Sequence, residues 1–291
     1  ILAQACNQCG SCSPPRAAMS IFSKLFGFGS RGSLSSLGKA YELVARQQVA
    51  RHTHRFKFAL ESPDAILGLP VGHHLEVRLK GGEGISRAYT PVTGDETKGS
   101  FDLVVKVYPQ GQVSQYLDSL AVGDKAEIAG PQGELTYKGN GAFEIEDPFD
   151  SSKRTVNCAG VGMIAGGTGI TPMYQIASYA AAQSGDSLEM SLLFANLTPD
   201  DVMMRPELDQ LAETCPRFRV AYTVDKVPEA DESSWQGLRG RISAPMLEEA
   251  LGRLPTRPEL VCICGPPGFH QAARTLLCEE LGYPSDAVFE F

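Results

Sequence analysis

The chain has 291 residues, enough for two compact domains, and its 43% apolar and 21% charged content is that of a globular protein. Its formal net charge of −8 argues against a nucleic-acid partner, because phosphate binding needs a basic surface. No stretch approaches the ~20 continuous apolar residues of a membrane helix, so no spanning segment is expected.

Residues 1–41 contain no Asp or Glu, while Arg16, Lys24, Arg31 and Lys39 stand among serines and glycines. Ile21, Phe22, Leu25 and Phe26 would form a short amphipathic face. This composition suits a transit peptide or a flexible tether, so residues 1–38 are set apart from the folded chain. Met19 is a candidate start. Cys6, Cys9 and Cys12 have a C-x-x-C-x-x-C spacing that could ligate metal, but no fourth ligand lies nearby, and no metal site is expected. The other five cysteines are scattered through apolar segments, as reduced, buried thiols of a reducing compartment would be.

From Tyr41 to about Tyr137 the sequence runs in short β-like segments, predicted over 42–49, 55–60, 74–79, 101–108 and 125–129. Turn-forming clusters separate them, and one helix fits, over 113–120. A closed antiparallel barrel is the natural solution for so many short strands. Residues 139–153 are polar, contain Pro148, Gly139 and Gly141, and read as a connection. Beyond it, strands over 155–165, 188–195, 218–224 and 260–264 alternate with helices over 172–183, 205–213, 244–252 and 268–281. Such alternation predicts a parallel sheet with helices on both faces. The expected fold is thus a β barrel over 39–150 followed by an α/β unit over 151–291.

An apolar run from Met163 reaches Gly166, Gly167 and Gly169, whose missing Cβ lets backbone N–H groups approach a ligand. Thr171 is a plausible N-cap and Pro172 a first helical residue, and the helix start favours an anion. Cys264, Gly265, Pro266 and Pro267 also follow a strand, which places both motifs on one rim of the sheet. Upstream, Arg87, Tyr89 and Thr90 offer a fixed cation, an aromatic face and a hydroxyl within four residues.

Taken together, R-x-Y-T-P (87–91), G-x-x-S-Q-Y-L (111–117), G-G-T-G-I-T-P (166–172), C-G-P-P (264–267) and the terminal Phe291 resemble the NADH–cytochrome b5 reductase family. That family belongs to the ferredoxin–NADP reductase superfamily, and the resemblance runs from about Lys39 to Phe291. It implies an antiparallel Greek-key FAD-binding barrel followed by a parallel-sheet nicotinamide-binding domain. By resemblance Arg87 contacts the FAD pyrophosphate, Tyr89 packs on the flavin and Thr90 meets its reactive side, with Ala88 where proline is common. Gly111, Gln112, Val113 and Ser114 correspond to a second phosphate loop, Gln112 replacing its usual lysine. Lys106 and Tyr108 fall near the cofactor phosphates and adenine. His74 corresponds to a family histidine, and a buried structural histidine is an equal reading.

On the nucleotide side Gly166, Gly167, Thr168 and Thr171 correspond to positions meeting the nicotinamide and the flavin. Cys264, leading Gly265, Pro266 and Pro267, corresponds to the cysteine beside the hydride-transfer point. Thr90, Thr168 and Cys264 are accordingly the expected catalytic residues. Asp225, after a strand, would accept from an adenosine ribose and repel a 2′-phosphate, selecting NADH, and no arginine cluster is evident around it. Phe291 lies near the flavin in the superfamily, or is a frayed tail.

The implied activity takes hydride from NADH onto FAD and passes single electrons to a haem protein such as cytochrome b5. A diaphorase part of a larger reductase such as nitrate reductase, and a flavin electron-transfer subunit without turnover, are the alternatives. A monomer is expected, with mitochondrial targeting preferred over cytosol-facing membrane association.

Overall fold

The computed structural model describes residues 34–82 and 84–291, so the expectations for Cys6, Cys9, Cys12, Met19 and the 21–26 face lie outside the described residues. The first half of the described chain is an antiparallel sheet. Its strands are β1 (Lys39–Ala50), β2 (Thr53–Ala59), β3 (His74–Arg78), β4 (Ser86–Tyr89), β5 (Ser100–Lys106) and β6 (Lys125–Gln132), in the order β4-β3-β6-β1-β2-β5. β1 serves two neighbours: Lys39 to Glu42 pair with β6, and from Leu43 onward the strand pairs with β2 past an irregularity. A strand that changes partners in this way curls the sheet.

The two edges are stitched together beyond β4. The Val92 amide donates to Asp102 O, and the Asp102 amide donates to Thr93 Oγ1, both at 3.0 Å. Period-two alternation turns Phe56, Phe58, Leu75 and Val77 inward, where they meet Tyr41, Leu43, Phe101 and Leu103. Tyr41 and Phe101 meet edge-on at 5.3 Å, and Phe58 stacks on Phe101 at 5.6 Å. Helix α1 (Gln112–Ser119) closes this core with Val113 and Leu117.

β4 was not among the predicted strands, since a four-residue exposed edge carries no alternating pattern. The expected polar connection over 139–153 is also corrected. Its middle and both its ends belong to a three-stranded antiparallel sheet, β7 (Leu135–Gly139), β8 (Ala142–Glu146) and β9 (Lys153–Asn157). Phe143 and Ile145 face its buried side, and the intervening acidic residues hid that alternation. The single strand expected over 155–165 is therefore two, because the chain leaves the β8 pairing before entering the next sheet.

That sheet is parallel throughout: β10 (Gly160–Gly166), β11 (Glu189–Asn196), β12 (Phe218–Val224), β13 (Leu238–Arg239), β14 (Leu260–Cys264) and β15 (Val288–Glu290), ordered β13-β12-β11-β10-β14-β15. β10 is buried along its whole length, as its continuous apolar sequence requires of a central strand covered on both faces. Helices α2 (Ile170–Ala182), α3 (Arg205–Thr214), α4 (Ala244–Leu251) and α5 (Pro267–Thr275) join the strands. The chain departs from β10 to one side through β11, then returns to its other side as β14. The ends of β10 and β14 therefore form the switch point at which such sheets bind ligands. Among the described residues no helix is long and apolar enough to cross a membrane.

Candidate active site

At the end of β10 the chain turns through a 3-10 segment, Gly167–Gly169, with Gly167 at φ +55°. Helix α2 starts at Ile170 with Gly169 as its N-cap, two residues earlier than expected. Thr171 is thus inside the helix, and its hydroxyl donates to Thr168 O at 3.2 Å instead of capping. Pro172 occupies the third helical position, still within the turn whose amides lack helical partners. Thr168 is half-buried on the rim and Thr171 is buried.

The second rim motif lies against the first. Ala165 and Cys264 are register partners in β10 and β14, and a Cβ on Gly169 would stand 2.0 Å from Cys264 O. The Phe269 ring closes the junction, where a Cβ on Gly166 would meet it at 3.0 Å and one on Gly265 at 2.6 Å. These glycines permit the close approach, and a Cβ at Gly169 would force backbone to move while one at Gly166 or Gly265 would press on the Phe269 ring. Pro266 caps α5 and Pro267 opens it, both suited to a position without an amide partner. Burial pushes the Cys264 thiol up to about 12, with the Gly265 amide acting weakly the other way. At neutral pH Cys264 is therefore a thiol and not a nucleophilic thiolate.

On the barrel side, β4 is an edge strand paired to β3, with Leu75 opposite Tyr89 and Val77 opposite Arg87. Arg87 and Ala88 are exposed. The Arg87 guanidinium donates to Ser86 O at 2.7 Å, and among the described residues it forms no ion pair. Burial pushes the Tyr89 phenol up to about 12 against the pull of Arg87, and Thr90 is buried. Extending the β3–β4 register sets His74 opposite Thr90. Burial lowers the His74 pKa, and Glu76 partly opposes this.

The loop before α1 is closed by Ser114. Its hydroxyl donates to Gly111 O at 2.9 Å and accepts from the Tyr108 amide at 3.2 Å. Ser114 therefore shapes the loop and leaves its backbone to meet a ligand. A Cβ on Gly111 would lie 2.4 Å from that hydroxyl oxygen. Helix α1 has no side-chain cap, so the Gln112, Val113 and Ser114 amides make an anion-ready N-terminus. Tyr108 and Gln112 are exposed, whereas Val113 is buried in the barrel core.

Lys106 is engaged by a carboxylate. Its ammonium donates to Asp201 Oδ1 at 2.8 Å, joining β5 to the segment after β11, and both side chains are largely buried. Burial alone would raise the Asp201 pKa, but hydrogen bonds from Lys106 and Thr198 more than offset it, so the carboxyl is held below its ordinary value. β5 also abuts the Gly167–Gly169 turn, which sets the barrel beside the nucleotide rim.

Asp225 follows β12, and its amide donates to Asn196 O at 3.0 Å. One arginine, not a cluster, stands beside it: Arg241 Nε is 3.6 Å from Asp225 Oδ2, and the Arg241 side chain is 90% exposed. β13 brings it there by pairing with β12, sixteen residues later in sequence, which no local pattern reveals. Phe291 is not frayed. Its amide donates to Ile263 O at 3.0 Å, and its ring meets Phe289 edge-on at 4.9 Å. His270, Arg274 and Glu290, which sequence reasoning passed over, lie directly behind Gly265. The four-residue spacing of His270 and Arg274 was a readable signal, but their shared partner Glu290 was not.

Residues 40–137 match the oxidoreductase FAD-binding domain family, and residues 163–275 match the oxidoreductase NAD-binding domain family. NADH-cytochrome b5 reductase 2 of Gallus gallus is 40% identical over 260 residues, 86% of this chain and 84% of that one. NADH-cytochrome b5 reductase 3 of Rattus norvegicus is 39% identical over 293 residues, covering 96% of each. Among solved structures, the cytochrome b5 reductase domain of Ulva prolifera nitrate reductase superposes with a TM-score of 0.79 at 36% identity, covering 89% of this chain and all of that one.

Proposed function

We infer the function from descent: the chain belongs to the NADH–cytochrome b5 reductases, and it is an NADH-dependent FAD oxidoreductase passing electrons to cytochrome b5. One observation in the structure carries the site reading. The Phe269 ring lies against both Gly166 and Gly265, so the two rim motifs form one surface beside β5 of the barrel. When bound, FAD supplies the exchange between two-electron and one-electron chemistry.

The chain's own residues fit that cofactor. Arg87 is a fixed, exposed cation without an acidic partner among the described residues, suited to a pyrophosphate. The Gln112–Ser114 amides offer a second anion site, and Tyr89 gives an aromatic face beside Thr90. Across the seam, Gly166, Gly167, Thr168 and Thr171 form the floor for the nicotinamide half of NADH, and Cys264 to Pro267 form its wall. The neutral Cys264 thiol fills and polarises this wall without competing as a nucleophile. Thr90, Thr168 and Cys264 border the hydride path. Lys106 braces the barrel against Asp201, and Tyr108 stays free beside the phosphate loop. Asp225 selects NADH.

Residues 39–150 serve FAD and residues 151–291 serve the nicotinamide. The acid-free, basic residues 1–38 favour mitochondrial targeting over cytosol-facing membrane association, and the chain acts as a monomer. Similarity to the nitrate reductase domain supports the same chemistry within a larger reductase as a second reading. Purified chain should be yellow, carry one FAD and turn over NADH with ferricyanide and with cytochrome b5. Flavin binding without NADH turnover would mark a passive electron-transfer subunit and defeat the proposal.

A further inference from the structure

Three polar side chains behind the 264–267 turn take no part in the reading above. His270 and Arg274 stand one turn apart on α5, and so on one face of it. Both grip Glu290 of β15: His270 Nδ1 lies 3.1 Å from Oε2, and Arg274 Nη1 donates to Oε1 at 2.9 Å. On its other side the imidazole meets the turn itself, since the Gly265 amide donates to His270 Nε2 at 3.0 Å. That bond fixes the tautomer. Nε2 is the acceptor, so the ring proton resides on Nδ1 and is donated to the Glu290 carboxylate.

Glu290 is anchored in turn. It is the register partner of Ile263 in β14, and the next residue, Phe291, donates its amide to Ile263 O at 3.0 Å. A continuous set of contacts therefore runs from the C-terminal edge strand, through a carboxylate and an imidazole, into the peptide joining Cys264 to Gly265.

We propose that His270 is a positioning residue for the reaction with NADH: it holds the Gly265 N–H, and with it the wall at Cys264, in one orientation, while Glu290 and Arg274 fix the imidazole. The proposal rests on the reading of residues 264–267 as the nicotinamide wall. Its physical basis is that a peptide ending in glycine is free to rotate toward water unless a fixed acceptor holds it. A small rotation there moves the surface against which the reacting ring docks, and hydride transfer is sensitive to such misplacement.

The test uses the holoenzyme with His270→Leu, His270→Gln and Glu290→Ala. Three quantities are measured: flavin content, amide hydrogen exchange of the peptide spanning 264–269 without nucleotide, and stopped-flow flavin reduction at saturating NADH. His270→Leu should keep its FAD, speed exchange and slow reduction, each by about tenfold, the scale of one net hydrogen bond. His270→Gln retains an acceptor oxygen and should recover most of both. Glu290→Ala should show the same pattern more weakly, and it carries the test if the leucine variant does not fold. Unchanged exchange in both His270→Leu and Glu290→Ala overturns the proposal, as does failure of glutamine to rescue. Faster exchange with unchanged reduction also overturns it, by showing that His270 holds the turn but that residues 264–267 lie off the hydride path.

Discussion

The two faces of the site are built by different means. On the barrel face, the proposed binding groups are side chains on an exposed edge and amides at the start of a short helix, and the loop between β5 and α1 is closed by its own Ser114. On the parallel-sheet face, the proposed binding surface is backbone, formed where Gly166, Gly169 and Gly265 let β10, β14 and the Phe269 ring approach closely. The barrel face should therefore lose one contact at a time, with its fold intact. The sheet face should fail as a unit. Substitutions that separate binding from folding on one face, and couple them on the other, test this contrast.

The largest effect is expected at Gly169. A Cβ there would stand 2.0 Å from Cys264 O, a backbone atom that cannot swing aside. Gly169→Ala must push β14 away from the α2 start, and overpacking of this kind costs about 1–3 kcal/mol or more. Thermal unfolding should fall by several degrees, and flavin reduction by NADH should be nearly lost in whatever remains folded. Near-normal Tm together with normal reduction would show that the two motifs do not depend on close approach.

Arg87→Ala tests the opposite face. Arg87 is exposed and among the described residues bonds only its neighbour's carbonyl, so its loss should leave the fold unchanged. FAD affinity should drop by about 1.5–3 kcal/mol, the scale of a charge-assisted hydrogen bond. Dialysis followed by absorbance at the flavin band measures it. Full FAD occupancy after exhaustive dialysis would remove the pyrophosphate from Arg87.

How much of this contrast was readable in the sequence follows from its physical origin. The glycine clusters announce themselves, because only glycine tolerates such approach, and the apolar β10 run names its own central place in the sheet. The barrel was readable from short alternating runs, except β4, too short and too exposed to alternate. β8 was hidden in an apparent linker because Glu144 and Glu146 interrupt its buried Phe143 and Ile145. What stayed hidden are pairings between distant segments: Lys106 with Asp201, Arg241 with Asp225, and His270 with Glu290. No local period encodes which charge a folded chain brings beside another.

The Lys106–Asp201 pair joins the two faces, and pH should loosen it. Asp201 is held below its ordinary value in the folded chain, so its ionised form contributes stability above the unfolded aspartate pKa of about 3.9. That contribution is lost as pH falls through the folded value. Asp201→Asn should therefore lower Tm at pH 7 while narrowing the gap to wild type as pH drops below about 4. A gap that is constant across this window would mean that Asp201 acts through packing and not through its charge.

The smallest effect should come at Asp225, where the two faces no longer meet and one charge decides a preference. In the folded chain Asp225 lies 3.6 Å from Arg241, whose side chain is almost wholly exposed. The aspartate can accept from a ribose hydroxyl and repels a 2′-phosphate, and it also neutralises the arginine that would otherwise attract that phosphate. Asp225→Thr removes the repulsion, keeps a hydroxyl and releases Arg241 in one change. The NADH/NADPH ratio of kcat/KM should fall by about tenfold, or ~1.4 kcal/mol, with NADPH gaining in absolute terms. Arg241→Ala in the Asp225→Thr background should take back most of the NADPH gain and leave NADH nearly unchanged. If Asp225→Thr loses NADH activity with no gain for NADPH, the selector lies elsewhere on the rim. If the gain persists without Arg241, relief of repulsion alone accounts for it, and the arginine is only a solvated neighbour.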